Sequence, residues 1–414
     1  MGEEQLADAE GTGLAFDVVG APQRNRLFLV LTFGFVLLGM GLGVQGVAWP
    51  SVAETFDRSL ADLGYVTLLF GGGYTASTLL SGRLSSRAGI GPTLIGAAGL
   101  AVVALAALSG SPTWPLFLTA AGVLGAAGGL VDAATNTYVA IRRGVRAMGL
   151  LHGSFGIGAI AGPLLVTGLL QVGLSWRAAF AALAGGQGLY AAGLWLAARH
   201  LDARIAPVAD DHQTGLLRSS VLVWSLVVFF LYLGIAAGAG VWAFTFLTEN
   251  RGISDGLSGV VVASYWGAFT AARLLLGAAG DRFRADMVLR WSAVSTITTL
   301  LVFWWSPEAW VGVAALVLAG FAHGPVFPLE MLLTPRRFGT ALTPTVVGLE
   351  IATANAAGAV LPGLIGLVVG YGGLDVIPPL LVANALALWL AIEMLRRQSP
   401  RAGTQVAPPP QQCG

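Results

Sequence analysis

Charge is scarce in this chain of 414 residues: 10 % of them are Asp, Glu, Lys or Arg, against about 25 % in soluble domains. That deficit excludes a water-soluble enzyme or nucleic-acid binder as the reading of the whole chain. Lysine is missing altogether, so the 22 basic residues are all arginine. A net charge of +1 offers no grip on a polyanion, and no nucleic-acid partner is expected. The single cysteine, Cys413, rules out an intrachain disulfide. Standing second from the end, it does not complete a prenylation box. The sequence has no phosphate-binding loop and no metal-spaced His/Cys cluster, so neither a cofactor nor enzyme activity is expected. The N-terminus also lacks the basic stretch of a secretion signal. Glu3, Glu4, Asp8, Glu10 and Asp17 precede the first apolar run, which is expected to stay as a span.

Apolar residues make up 56 % of the chain, and the mean hydropathy is +0.77. A membrane-crossing helix needs about 20 predominantly apolar residues. Runs of that kind read near 27–49, 62–84, 91–109, 115–141, 148–171, 177–198, 220–247, 258–280, 287–305, 308–333, 344–369 and 375–395. The fold class expected is an all-α integral membrane protein with twelve transmembrane helices in two six-helix pseudo-repeats. The predicted organisation is an N-terminal tail, 1–23, a six-helix bundle, 24–198, and a central cytoplasmic loop, 199–219. A second bundle, 220–397, and a Pro-containing tail, 398–414, complete it.

Arginine placement gives an orientation. With the N-terminus in the cytoplasm, 18 arginines fall on inner loops and flanks, among them Arg83, Arg87, Arg142, Arg143, Arg282, Arg336 and Arg337. Only Arg58, Arg177 and Arg251 fall outside, while Arg273 lies within a span. That asymmetry satisfies the positive-inside rule, with both termini cytoplasmic and the protein in the inner cell membrane. The halves also look like copies. A shift of 195 residues lays Gly64, Gly72, Gly82 and Arg87 on Gly259, Gly267, Gly277 and Arg282, and Gly125 and Gly129 on Gly320 and Gly324. Shifts of 193 and 199 lay Trp49 on Trp242 and Pro163 on Pro362. Six-helix repeats of this kind place substrate and coupling sites near the midplane, between the halves.

Asp132 carries the most chemical information. It lies ten residues from Arg142, about 15 Å of helix, near the middle of a hydrocarbon core about 30 Å thick. Intramembrane acids usually face a cavity and serve a proton or substrate pathway; the bland reading is an acid that only ties helices together. Asn136 shares its face one turn on, to contact a solute hydroxyl or simply to bond Asp132. His152, six residues from Arg146, is a candidate proton relay, with a helix-bridging hydrogen bond as the plainer role. His323, between Gly320 and Gly324 with Pro325 and Pro328 following, lies on a kinked or broken helix and is a candidate solute contact. Gln45 beside Trp49 would pair a polar contact with an aromatic platform, Trp242 would close the opposite wall, and Asn355 is a further buried amide. Arg273 needs an anionic partner, an anionic substrate or a snorkelling route, and Glu330 and Glu350 are its candidate partners.

Twelve spans, a long central loop and two related halves resemble the major facilitator superfamily. Its signature turn between the second and third spans reads here Gly82-Arg83-Leu84-Ser85-Ser86-Arg87-Ala88-Gly89, with Ser86 where the family has aspartate. The equivalent turn, Gly277-Ala278-Ala279-Gly280-Asp281-Arg282, keeps the Asp-Arg pair. The resemblance implies that Arg83, Arg87, Asp281 and Arg282, with Arg273 above them, work the cytoplasmic gate. Gly39-Met40-Gly41, Asp132-Ala133-Ala134-Thr135-Asn136, His152 to Ala159, Tyr232-Leu233-Gly234 and Ser264-Tyr265-Trp266-Gly267 resemble the fucose–proton symporter and sugar-permease branch. By that resemblance an acid at the position of Asp132 is tied to substrate binding and proton coupling. The implied function is secondary active symport of a small polar, sugar-like solute with protons, by a monomer in the bilayer. Gly158 to Pro163 partly resembles a drug–proton antiporter motif and keeps export of a drug or metabolite open. The acid lost at Ser86 keeps a transport-inactive sensor open.

Overall fold

The computed structural model describes residues 21–58, 62–197, 216 and 219–398. Both tails up to those limits, and most of the central connection with Arg199, Arg204 and Arg218, lie outside the described residues. Among the described residues there are twelve α-helices and no strand. The first six are α1 (Ala21–Thr55), α2 (Leu63–Ala88), α3 (Ile90–Gly110), α4 (Trp114–Arg142), α5 (Val145–Gln171) and α6 (Trp176–Leu196). The second six are α7 (Ser220–Thr245), α8 (Asp255–Ala279), α9 (Ala285–Trp305), α10 (Ala309–His323), α11 (Val326–Gly372) and α12 (Ile377–Gln398). A π turn, Phe246–Asn250, extends α7. Helices are what such apolar runs must form, because hydrocarbon offers no partner for an exposed N–H or C=O. Eight helical runs among the described residues are by themselves long and apolar enough to cross a membrane, the run 309–372 counted once.

That long run departs from the simple span pattern. The helix expected over 308–333 is interrupted: α10 ends at His323, Gly324 and Pro325 form a turn, and α11 begins at Val326. The division between the tenth and eleventh spans falls inside α11, at Gly339, whose φ of 76° and ψ of 159° break the helix. A side chain at that φ would be strained, and glycine is not.

Packing follows the repeat seen in the sequence. In the first half α4 seats on α2 with backbone against backbone: Gly125 meets the Phe70 carbonyl and Gly129 meets the Tyr74 carbonyl. In the second half α10 and its turn seat on α8 in the same way, Gly320 on the Tyr265 carbonyl and Gly324 on the Phe269 carbonyl. Every member of the second set lies 195 residues beyond its counterpart. Small residues let helices approach this closely, and dispersion then does what water-driven burial does in soluble cores.

The two halves meet at the arginine-rich end by the same rule. A Cβ on Gly82 of α2 would lie 2.7 Å from Thr345 Cα of α11, and one on Gly277 of α8 would lie 2.8 Å from Leu150 N of α5. Thr345 stands 195 residues beyond Leu150, as Gly277 does beyond Gly82. Beside these pairs, Gly149 packs directly on Gly277, and Gly348 on the Thr78 carbonyl. The seam is therefore sealed on this side by two symmetry-related contacts. A cavity of about 680 Å³ between the halves lies at the surface here, lined by Arg143, Arg284, Asp286 and Arg336 among others.

Candidate functional site

The centre of the molecule is organised by α4, in which every residue from Val131 to Ala140 is buried. Asp132 projects from it, 8 % exposed. Its Oδ2 accepts a hydrogen bond from the Tyr74 hydroxyl at 2.6 Å, and its Oδ1 accepts one from Asn136 Nδ2 at 2.7 Å. Asn136 stands one turn on, which is why its amide reaches the carboxylate. His152 of α5 continues the chain, its Nε2 lying 3.0 Å from Asn136 Oδ1. The amide oxygen needs a donor, so the proton of that bond sits on Nε2. The imidazole then stands edge-on between Phe35 of α1 and Phe327 of α11, at centroid distances of 5.6 and 5.1 Å. A polar chain, Tyr74–Asp132–Asn136–His152, thus crosses α2, α4 and α5 and ends against the other half.

The second half answers with a different cluster. Tyr232 of α7 stacks on His323 at 4.3 Å, and His323 Nε2 donates to the Tyr232 carbonyl at 2.9 Å. Arg273 of α8 donates from Nη2 to the Tyr232 hydroxyl at 2.8 Å and from Nε to the Gly324 carbonyl at 3.1 Å. Its guanidinium lies 4.2 Å over the Phe269 ring. The Gly324 carbonyl is available because Pro328, four residues on, has no N–H to give it. A proline-interrupted helix therefore presents a backbone acceptor where Arg273 needs one. Arg273 lies directly across the seam from α5, where Gly149 meets its backbone carbonyl and Gly153, next to His152, meets Leu274.

The acid partners expected for Arg273 are engaged elsewhere, and that expectation is corrected. Glu330 pairs with Arg337. Glu350 accepts from Ser225 and Thr334 at 2.5 and 2.9 Å. Both acids lie nearer the arginine-rich end than Arg273 does, so it takes a phenol, a carbonyl and a ring face instead. Tyr74 and Tyr232, central to the two clusters, were not among the candidate site residues. Of the two readings of Asn136, the bond to Asp132 is the one present here, and His152 makes the helix-bridging bond.

The two tryptophans expected at this centre are engaged by the protein's own groups. Trp49 is 4 % exposed and packs on Trp114 at 5.9 Å, in an aromatic cluster with Phe56, Phe117 and Trp176 inside the first half. The platform expected beside Gln45 is thus covered by the protein's own rings, while Gln45 is half-buried. Trp242 donates from Nε1 to the Pro362 carbonyl at 2.9 Å, tying α7 to α11 within the second half. Asn355 is half-buried, and its Nδ2 finds no partner. Arg83, Arg87 and Arg282 are exposed at the arginine-rich end. Asp281 lies in the turn Gly280–Arg282, its side chain outside what is described. Arg273, grouped with these gate residues by sequence, is 7 % exposed and belongs to the central cluster. Among the described residues, no group of three or more His, Cys, Asp or Glu side chains could hold a metal ion.

A family model described as Major Facilitator Superfamily matches residues 31–362. In solved structures the fold is similar to that of the E. coli fucose:proton symporter FucP, with a TM-score of 0.72 at 17 % identity. The match covers 90 % of this chain and 98 % of that one. It is likewise similar to the proton:xylose symporter XylE, with a TM-score of 0.73 at 14 % identity over 92 % of this chain and 97 % of that one. At such identities the likeness speaks for the fold alone. In sequence the chain is 24 % identical over 384 residues to Bypass of stop codon protein 6 of Saccharomyces cerevisiae. That match takes in 83 % of this chain and 77 % of the yeast protein.

Proposed function

The chain belongs to the Major Facilitator Superfamily, and from that premise we propose that this membrane transporter is a proton-coupled symporter of a small polar, sugar-like solute. The observation that carries the reading is the chain Tyr74–Asp132–Asn136–His152 ending on Phe327 of the opposite half. A carboxylate held by a phenol and an amide is stable ionised; once protonated, it can donate a hydrogen bond itself and its partners must rearrange. Asp132 holds the coupling proton. Tyr74 and Asn136 keep its carboxylate oriented, and His152 carries the change of state to the seam. Gln45, His323 and Asn355 supply the solute's hydrogen bonds.

Movement follows from the seam. The symmetric contacts Gly82–Thr345 and Gly277–Leu150 lie on the side of the molecule that the positive-inside rule assigns to the cytoplasm. A two-state rocking of the halves breaks both together, because one shift of 195 residues relates them. The exposed Arg83, Arg87 and Arg282 flank that seal and act as gate residues. Coupling requires that the protonated, solute-loaded form and the empty, deprotonated form both rock, and that half-loaded forms do not.

The test is flux in proteoliposomes under an imposed pH gradient, with labelled neutral sugars and sugar acids outside. Inward accumulation driven by an inward proton gradient supports symport. Accumulation only under the opposite gradient means antiport, and the proposal fails.

A further inference from the structure

Arg273 is a buried cation with no acid beside it. Its bonds go to Tyr232 Oη and to the Gly324 carbonyl, and neither removes its charge. Among the described residues no ion pair includes it. The nearby acids of its own half, Glu330 and Glu350, hold other partners. Two further groups of the same cluster lack partners. The Tyr265 hydroxyl, on a residue 2 % exposed, and His323 Nδ1, on a residue 1 % exposed, are both buried and unbonded. Tyr265 stacks at 6.4 Å on Phe269, the ring over which the Arg273 guanidinium lies. Because His323 Nε2 carries the proton given to the Tyr232 carbonyl, Nδ1 is an acceptor. The cluster therefore offers a positive charge, a hydroxyl donor and an imidazole acceptor, all unanswered. Leaving such groups unpaired inside a protein is costly, so each is a demand on a ligand.

We propose that Arg273, Tyr265 and His323 form the anion half of the solute site, and that the solute is a small hydroxycarboxylate such as a sugar acid. This rests on the symport reading above and names its substrate class. The carboxylate accepts from Arg273 and Tyr265, and a solute hydroxyl donates to His323 Nδ1. Asp132 sets when this is favourable. Ionised, it sets a negative charge in the other half that competes with an anionic solute without pairing with Arg273; protonated, it leaves the guanidinium as the lone charge of the site. The proton and the anion are then bound together, and the pair crosses with no net charge. Tyr74, His152 and Tyr232 are the remaining titratable groups that face this pair, and none supplies a competing negative charge in its ordinary state.

The experiment measures thermal stabilisation and binding of purified full-length protein with D-glucuronate, D-gluconate, D-glucose and L-fucose. The sugar acids are expected to bind, and the neutral sugars to bind roughly ten-fold more weakly or worse, since a charge-assisted contact is lost. Arg273→Gln is expected to abolish binding of the acids. Asp132→Asn, which removes the competing carboxylate, is expected to tighten it several-fold. Neutral sugars binding as well as the acids, or unchanged acid affinity in Arg273→Gln, overturns the inference. So does absence of binding by either acid. If Arg273→Gln does not fold, the wild-type comparison and Asp132→Asn decide. Neutral-only binding with proton-driven sugar uptake sinks the anion site and spares the symport reading. Acid binding without any proton-driven uptake sinks the symport reading and spares the anion site.

Discussion

Asp132 and Phe327 occupy the same place in the two repeats: each lies three residues past the glycine, Gly129 or Gly324, that seats its helix on the neighbour. The same correspondence puts Tyr74 opposite Phe269 and Asn136 opposite Met331. The polar chain of the first half is thus an apolar one in the second, and Phe327 closes onto His152. The scaffold is symmetric while its chemistry is not. In the proposed mechanism one half handles the proton and the other, through Arg273, the charge of the solute.

Tyr74→Phe installs the residue that the second repeat carries at this place, so the ring should fit. What it removes is one donor to a buried carboxylate, worth about 1–3 kcal/mol. Proton-driven uptake is expected to fall about ten-fold, while solute counterflow stays near wild type. Uptake assays in proteoliposomes with and without a pH gradient check both.

Gly82→Val forces a side chain onto the Thr345 backbone. Overpacking of this kind costs about 1–3 kcal/mol, and opening the seam relieves it. In a Cys413→Ser background with Ser81→Cys, which is 1 % exposed, thiol labelling should accelerate when Gly82→Val is added. Gly277→Val, its symmetry mate, should do the same.

Arg337→Ala strands Glu330, which is 1 % exposed, without its ion partner. Removing one member of a buried pair costs about 3–5 kcal/mol, so the thermal midpoint should drop by several degrees. Adding Glu330→Gln should recover part of the loss, because the stranded charge is then gone. A thermal-shift series on the three proteins checks this.

Trp49→Ala should act on stability and leave the solute's affinity unchanged, because the ring is covered by Trp114 and its neighbours. A buried tryptophan cut to alanine costs about 3–5 kcal/mol. Binding measured beside the unfolding midpoint separates the two effects.

Much of this architecture was legible in the sequence, for a physical reason: the bilayer requires long apolar helices, and the internal copy repeats its close-packing glycines at a fixed shift. Gly125, Gly129, Gly320 and Gly324 were visible as a pattern before their partners were known. Asp132 was visible because a lone acid in a span is costly. Tyr74 was not, since a tyrosine among apolar neighbours reads as packing until the carboxylate it meets is located. The partners of Arg273 escaped for another reason. Pro328 pointed to a break, but which side chain takes the freed Gly324 carbonyl depends on how α8 lies against α10. Trp49 misled because its match to Trp242 reflects the repeat, whereas the two rings have different neighbours.

The most direct measurement is uptake by Asp132→Asn in proteoliposomes, scored under a proton gradient and again in counterflow at equal pH. The account predicts that gradient-driven accumulation disappears while counterflow persists, because the neutral amide still supports binding and rocking but carries no proton. Accumulation at the wild-type level in this variant would contradict it.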